Sequence, residues 1–503
     1  MLIEPSYESF LDAYHGREPQ VAWTRLVADL ETPVSAFLKV AAGRPNAFLL
    51  ESVEGGAVRG RYSIIGLAPD LIWRTRGRRA ELNAKPQADG RFEPLGDDPL
   101  TELRRLLDDS RIRLPEGLPP MAAGVFGYLG YDMVRLMERL GDPKPDALGL
   151  PDAVLIRPTV VLIFDAVKDE ITIVTPVRHE ARLTAEAAYA RAVDRLTNAL
   201  DALDRPLDKS AVTPESQHAE PIRSNTTPEE FAAMVLKAKD YVAAGDVFQV
   251  VLSQRFEARF DLPPFSLYRA LRRVNPAPFL YYLDFGGFSV VGSSPEILVR
   301  VRDRKVTIRP IAGTRPRGAT SAEDARLAED LLADPKERAE HLMLLDLDRN
   351  DVGRVAEIGS VTVTDQFFLE FYSQVMHIVS NVEGKLDRRF DALDALVAGF
   401  PAGTVSGAPK VRAMEIIDEL EKEKRGVYAG CVGYFSADGA MDTCIVLRTS
   451  VVKDGRMYVQ AGAGIVADSA PDYEQAECVN KAKALFRAAE EAVRFAASAS
   501  RGQ

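Results

Sequence analysis

The stretch DPKERAEHLMLLDLDRND, residues 334–351, decides how the chain is read. Asp334 ahead of Pro335 has the form of an N-cap followed by the first helical position, and the spacing predicts a helix over 335–348. Glu337 and Glu340 share one face of that helix, with His341 beside them within the first two turns. The flanks set the class. Strand-like runs at 247–253, 279–285, 361–363 and 457–460 mix with helical patterns at 410–420 and 471–495. Further strand-like runs lie at 47–50, 61–66, 71–74 and 159–165. Strands and helices do not alternate in a βαβα order, so the expected class is α+β and not a doubly wound sheet.

The chain has 503 residues, with 46% hydrophobic and 27% charged, which is ordinary for a globular protein and excludes wholesale disorder. Lys+Arg is 63 and Asp+Glu is 74, a net charge of −11, so nonspecific nucleic-acid or anionic-membrane binding is not expected. Three scattered cysteines (Cys431, Cys444, Cys478) suit neither a disulfide framework nor a zinc site. The first residues lack a signal-peptide pattern, and no apolar run is long enough to span a bilayer. The expectation is a cytoplasmic protein with small-molecule chemistry, without nucleic-acid or membrane partners.

Residues 201–227 are polar, proline-bearing and aperiodic, and read as a linker between an N-terminal region (1–200) and a second region (228–496). Before it, 181–200 is an alanine-rich helical pattern. After it, Thr227-Pro228-Glu229-Glu230 is a capping box opening an amphipathic helix that Gly245 can end.

Several patterns could carry chemistry. Glu474, Glu477 and Lys481 line one face of the helix that begins near Pro471. Two helix-borne carboxylates brought together could hold Mg²⁺, although each pattern alone fits a solvated helix face better. Gln460-Ala461-Gly462-Ala463-Gly464-Ile465 matches G-x-G-x-x-A, but Pro471 delays the helix. It reads as a loop facing an anion, or as an ordinary turn. Residues 403–410 lack the G-K-[ST] ending of a phosphate loop. Residues 313–318 form a basic turn, on the surface or around an anion. His377, in an apolar segment, fits a hydrogen-bonded core residue or a general base. Cys431 reads as a small buried residue.

Taken together, six ordered motifs are far more specific: 246–251 (DVFQVV), 292–296 (GSSPE), 310–318 (PIAGTRPRG), 339–351 (AEHLMLLDLDRND), 403–410 (GTVSGAPK) and 460–464 (QAGAG). With them the chain resembles the chorismate-utilising enzymes, most closely the anthranilate synthase component I family, over nearly its whole length. The resemblance implies a four-layer α/β/β/α sandwich of two large, orthogonally packed, mainly antiparallel sheets, with the two halves of the chain intertwined. It also implies formation of anthranilate and pyruvate from chorismate and ammonia.

The resemblance assigns roles as well. Glu340 and Glu477 would hold Mg²⁺, with Lys481 orienting the metal carboxylate. Arg448 and the amides of Gly462, Ala463 and Gly464 would hold the side-chain carboxylate of chorismate, in a pocket lined by Gly313, Thr314 and Tyr428. Glu296 would be the general acid for loss of the C4 hydroxyl, and His377 the base at C2, with Thr404 as its neighbour. Ala312 stands where aminodeoxychorismate-forming relatives carry a lysine, and Gln249 where isochorismate-forming relatives do. Ala312 favours anthranilate formation over aminodeoxychorismate synthase, and Gln249 favours it over isochorismate formation. The complete set Glu296, His377, Glu340 and Glu477 argues against a catalytically inactive tryptophan-binding subunit, and the delayed helix after 462–465 against a dinucleotide oxidoreductase. No glutaminase triad is visible, so a separate glutamine amidotransferase subunit is expected. Ser52, with Pro278, Phe279 and Leu280, resembles the L-tryptophan pocket of feedback-inhibited members.

Overall fold

The computed structural model describes residues 1–54, 58–207, 221–372 and 375–497. Every strand pairing in it is antiparallel, and the architecture is α+β. The pairings trace two sheets. In the first, strands run in the order Gln20–Val27, Glu170–Val177, the end of Ala153–Asp165, the start of Val58–Arg76, Ala47–Glu54, Phe279–Asp284, Ser289–Ser294, Thr449–Lys453, Arg456–Ile465 and Gln249–Arg259. In the second, the order runs from Arg79–Asn83 through the other ends of the two long strands to Gly124–Leu129, Cys431–Ser436, Met441–Ile445, Ile297–Arg302, Lys305–Ile308 and Val375–Lys385. Ile311–Pro316 and Thr362–Phe371 also pair with Val375–Lys385.

The strands Val58–Arg76 and Ala153–Asp165 belong to both sheets and form the corner between them. Their register shifts between Pro69 and Leu71, next to Ala68 at φ +50°. A break of this kind re-aims a strand. The separate strand-like runs at 61–66 and 71–74 are therefore one bent 19-residue strand.

Side-chain alternation fixes the layers. Phe48, Ile64, Val154, Val161, Tyr281, Val290 and Val451 point into a core between the sheets. Their neighbours Leu49, Ile65, Leu155, Leu162, Tyr282, Val291 and Val452 point outward into a core shared with the helices. A period of two sends successive residues to opposite faces. A sheet apolar on both faces must be covered on both, which gives helix, sheet, sheet and helix. Ala185–Asp204 lies on the outer face of the first sheet at its N-terminal end, and Pro228–Ala244, Pro264–Val274 and Pro471–Ala497 lie at its other end. Pro335–Gly353 and Ala392–Gly399 cover the second sheet.

Both halves of the chain build both sheets, since Ala47–Glu54 pairs with Phe279–Asp284 and Gly124–Leu129 with Cys431–Ser436. Of the expected linker, 208–220 lies outside the described residues. At its edges the preceding helix runs on to Asp204, and Arg223–Ser224 adds to the strand Gln249–Arg259. The capping box forms as read: Thr227 Oγ1 accepts from Glu230 N at 3.2 Å, and Glu230 Oε2 accepts from Thr227 N at 2.8 Å. Among the described residues, no helix is long and apolar enough to cross a membrane.

Candidate active site

Asp334 caps its helix as expected, accepting from the backbone N–H groups of Lys336 and Glu337. The helix then carries Glu340 toward the strand Gln249–Arg259, where Gln249 Nε2 donates to Glu340 Oε1 at 3.1 Å. Burial pushes the Glu340 carboxyl up, helped by the nearby Glu337 and Glu477 charges and opposed by Gln249 and Lys481. Glu477, one turn before Lys481 on the last helix, pairs with it at 2.7 Å. Glu474 is buried on the same helix. Among the described residues no cluster of three or more metal-binding side chains exists. What remains is a pair of neighbouring carboxylates with excess negative charge. That donor set fits Mg²⁺, which commonly takes one or two carboxylates and fills its shell with water or substrate oxygens.

The glycine segment corrects the sequence reading. Residues 462–464 are not a loop but the interior of the strand Arg456–Ile465, paired with Gln249–Arg259. Register decides which amides are free. Ser253 N–H donates to Glu421 Oε1 and the Val251 carbonyl accepts from Arg425, so both point away from 456–465. Their partners Gly462 and Gly464 therefore also turn away, and Ala463 turns toward Leu252. The Gly462 carbonyl accepts from Lys481 Nζ at 2.9 Å. The absence of side chains is required here: a Cβ on Gly464 would lie 2.5 Å from Gln249 Nε2, and one on Gly462 would lie 2.9 Å from the Tyr428 hydroxyl. Tyr428, Lys481, Glu477, Gln249 and Glu340 thus ring one short glycine strand.

His377 sits on Val375–Lys385 opposite Thr314. A bulge at Gly313, φ +76°, turns the Gly313 carbonyl to within 3.1 Å of His377 Nδ1, with Thr314 Oγ1 at 3.0 Å. A carbonyl can only accept, so Nδ1 carries the proton and Nε2 is left as the free lone pair. Burial pushes the imidazole down to about 4, with Arg448 adding to the effect and the Gly313 bond opposing it. The ring is neutral at ordinary pH. The basic turn at 313–318 is corrected as well. Its residues begin in the strand Ile311–Pro316, and Arg315 is consumed by Asp330, Asp334 and Glu337 while Arg317 is bound to Asp324.

Glu296 is buried at the turn between Ser289–Ser294 and Ile297–Arg302. Burial, followed by the charge of Asp348, holds its carboxyl well above the usual range; Thr404, the Ile311 amide and Arg448 oppose the shift. Thr404 is a neighbour of Glu296, because its four-residue helix Gly403–Ser406 packs it into a small enclosure with Glu296 and Asp348. Arg448, at φ +47°, feels Glu296, Tyr372 and His377 but forms no ion pair among the described residues. A cation in a low-dielectric enclosure without a counter-ion favours binding of a carboxylate.

The sequence comparison agrees with this arrangement. Residues 59–487 match the model of the chorismate binding enzymes. The chain belongs to the chorismate-binding enzyme family. It is 58% identical over 498 residues to anthranilate synthase component 1 of Cereibacter sphaeroides, covering 99% of this chain and all of that one. It is 50% identical to anthranilate synthase component 1 of Pseudomonas putida, over 92% of this chain and 93% of the relative. The crystal structure of anthranilate synthase component I from Streptococcus pneumoniae superposes with a TM-score of 0.76 at 38% identity, covering 92% of this chain and 99% of that one. The menaquinone-specific isochorismate synthase of Escherichia coli, at 18% identity and a TM-score of 0.69, shares the fold over 96% of this chain and 98% of that one.

Sequence reasoning missed two residues beside this candidate site. Tyr372 meets the His377 ring, and Asp348 faces Glu296. Asp348 is signalled by its place one turn beyond Leu344 and Leu345 on the buried face of its helix; Tyr372 carries no signal beyond its closeness to His377. The residues read as a tryptophan pocket do converge. Ser52 pairs with Phe279, and Ser52, Pro278, Phe279 and Leu280 line a cavity of about 630 Å³ that crosses toward Cys444 and ends at Tyr372 and Glu370. Cys431 is buried, as read.

Proposed function

We infer that this chain is the chorismate-converting component of an anthranilate synthase, forming anthranilate and pyruvate from chorismate and ammonia. The observation that carries the reading is Arg448, without an ion pair among the described residues, beside an acid pushed well up by burial, Glu296, and a base pushed down to about 4, His377. Groups pushed apart in this way mark acid and base roles.

In this reading Arg448 and the outward amides of Gly462 and Gly464 hold the substrate's side-chain carboxylate. Glu296 gives its proton to the departing C4 hydroxyl, which leaves as water as ammonia adds at C2. His377 Nε2 then takes the C2 proton, the C3–O bond breaks to release enolpyruvate, which gains a proton at its methylene carbon to become pyruvate, and the ring becomes aromatic. Mg²⁺ held by Glu340 and Glu477 would neutralise the ring carboxylate and polarise the ring toward loss of the hydroxyl. Gln249 and Lys481 keep those two carboxylates in place. Ala312 has only a methyl group beside the site, so no covalent attack on the substrate comes from that position.

A glutaminase subunit supplies ammonia in the cytoplasm, and L-tryptophan bound in the cavity at Ser52 and Phe279 lowers chorismate affinity. The test is anthranilate fluorescence from the chain with chorismate, Mg²⁺ and ammonium. Product that disappears with EDTA and falls with tryptophan supports the three parts together. Chorismate consumed without fluorescence would instead indicate an enzyme that stops at the amino intermediate.

A further inference from the structure

A second cavity, about 700 Å³, opens on the N-terminal half away from the candidate active site, where the helices Pro33–Ala41 and Ala185–Asp204 meet the corner of the bent strands. Among the described residues its lining holds six cationic side chains, Lys39, Arg44, Lys85, Arg191, Arg195 and Arg205, against the carboxylates of Asp70 and Glu180; Lys39 is bound to Glu31, which leaves five cations facing two carboxylates. The chain as a whole carries a charge of −11, so this excess is local. The carboxylates are already in use. Asp70 is gripped in a fork by Arg157, at 2.7 and 3.1 Å, and Glu180 is bound by Arg191.

Arg195, half-buried on the cavity wall, is left with the Thr175 hydroxyl at 3.4 Å and no ion pair among the described residues. Behind the wall, Arg178 donates to the Ser110 carbonyl while its Nε is buried without a partner. Burial together with the Arg157 charge pushes Arg178 down to about 10, opposed only by Asp70; Arg195 is lowered by burial and by Arg191. Arg157, Arg178 and Arg195 therefore share Asp70, and the only further carboxylate among the described residues that acts on Arg195 is Glu180, already bound by Arg191. Enclosed positive charge without a counter-ion is costly, and an anion relieves it. The floor includes Val40, Leu67 and Val160, so the pocket offers apolar surface beneath the charges, as small-molecule sites of this size do.

We propose that this cavity binds a small organic anion carrying two or more negative charges, a phosphate ester or a polycarboxylate, with Arg195, Lys85 and Arg44 as its principal contacts. Arginine forks suit both chemistries, and the surrounding lysines add charge without fixing geometry.

The test is titration calorimetry of the full chain with pyrophosphate and, separately, with citrate, without Mg²⁺ and at ionic strength fixed with sodium chloride. The expected result is a saturable one-site isotherm. The dissociation constant should rise about tenfold in Arg195→Gln and in Lys85→Glu, as expected for loss of one charge-assisted contact. Anthranilate formation from ammonium should stay unchanged in both variants. Lys85 is exposed, so its variant reports even if Arg195→Gln fails to fold. Saturation by pyrophosphate alone assigns phosphate esters, and by citrate alone polycarboxylates. Heats that do not saturate, or isotherms unchanged in both variants, overturn the site.

Discussion

Tyr372 meets His377 edge-on, with ring centroids 5.6 Å apart and planes at 61°. The Tyr372 hydroxyl donates to Glu370 Oε2 at 2.7 Å, and Glu370 is held in turn by Arg309. All three of Tyr372, Glu370 and Arg309 line the 630 Å³ cavity that begins at Ser52. The wall of the proposed effector pocket is thus the rear support of the proposed base. In Tyr372→Phe the ring stays and the hydroxyl bond goes. We expect turnover within about threefold of the parent and tryptophan inhibition weakened about tenfold, the size of a typical coupling energy. Inhibition curves at fixed chorismate check this; an unchanged half-inhibition point would leave the tyrosine without a coupling role.

Ser52 lies where the strands 47–54 and 279–284 meet, its hydroxyl donating to the Tyr62 carbonyl at 3.1 Å. Ser52→Phe should occupy the cavity and remove tryptophan inhibition while ammonium-dependent activity remains. Calorimetry with tryptophan should show no binding; retained full inhibition places the effector elsewhere.

His377→Asn removes the Nε2 lone pair that the Gly313 carbonyl leaves free. Anthranilate formation should fall by about 10²- to 10⁴-fold, the range for one general base. Chorismate consumption should persist, with the amino intermediate visible by chromatography. In the parent the imidazole is held down to about 4, so the base is unprotonated above that value. Lowering the pH from 8 to 6 should therefore cost no activity through His377. An acid limb near 6.5 that vanishes in His377→Asn would contradict this.

Glu296 must be protonated to act, so its activity is present below its raised pKa and lost as pH climbs through it. The neighbouring groups are Asp348, Arg448 and Tyr372, with Asp351 and Lys410 beyond Asp348. Asp348 is itself pushed up by burial and by Asp351, against Lys410, so it and Glu296 titrate as a pair. Asp348→Asn leaves Glu296 without a second acid to compete for ionisation and should move the alkaline limb of kcat to lower pH. Glu296→Gln should abolish that limb together with most of the activity, about 10²- to 10⁴-fold.

Glu340→Gln and Glu477→Gln each leave one carboxylate where two are needed. The Mg²⁺ concentration for half-maximal activity should rise at least about tenfold in either variant, since a carboxylate is one of the few protein ligands such a site has. A Mg²⁺ titration of anthranilate formation reads this directly, and an unchanged requirement in both would move the metal to other groups.

What the sequence determined alone is local or collective. Asp334-Pro335 and the Thr227–Glu230 box set their helix starts because a cap closes hydrogen bonds within three residues. The ordered motifs placed the chain in its family because six of them agree. Locally, 460–464 resembled a turn, since glycine disfavours strands; pairing with Gln249–Arg259 overrode that preference, as neighbours and burial do in sheets. Thr404 could not be placed beside Glu296 from the sequence, because a four-residue helix has no direction until it is packed. Only the tertiary structure shows that Arg448 has no ion pair among the described residues, that Glu296 faces Asp348, and that the amides of Gly462 and Gly464, but not of Ala463, turn away from Gln249–Arg259. Each depends on the distance between groups far apart in the chain, and burial and charge shift a proton or leave a cation unpaired only once those distances exist.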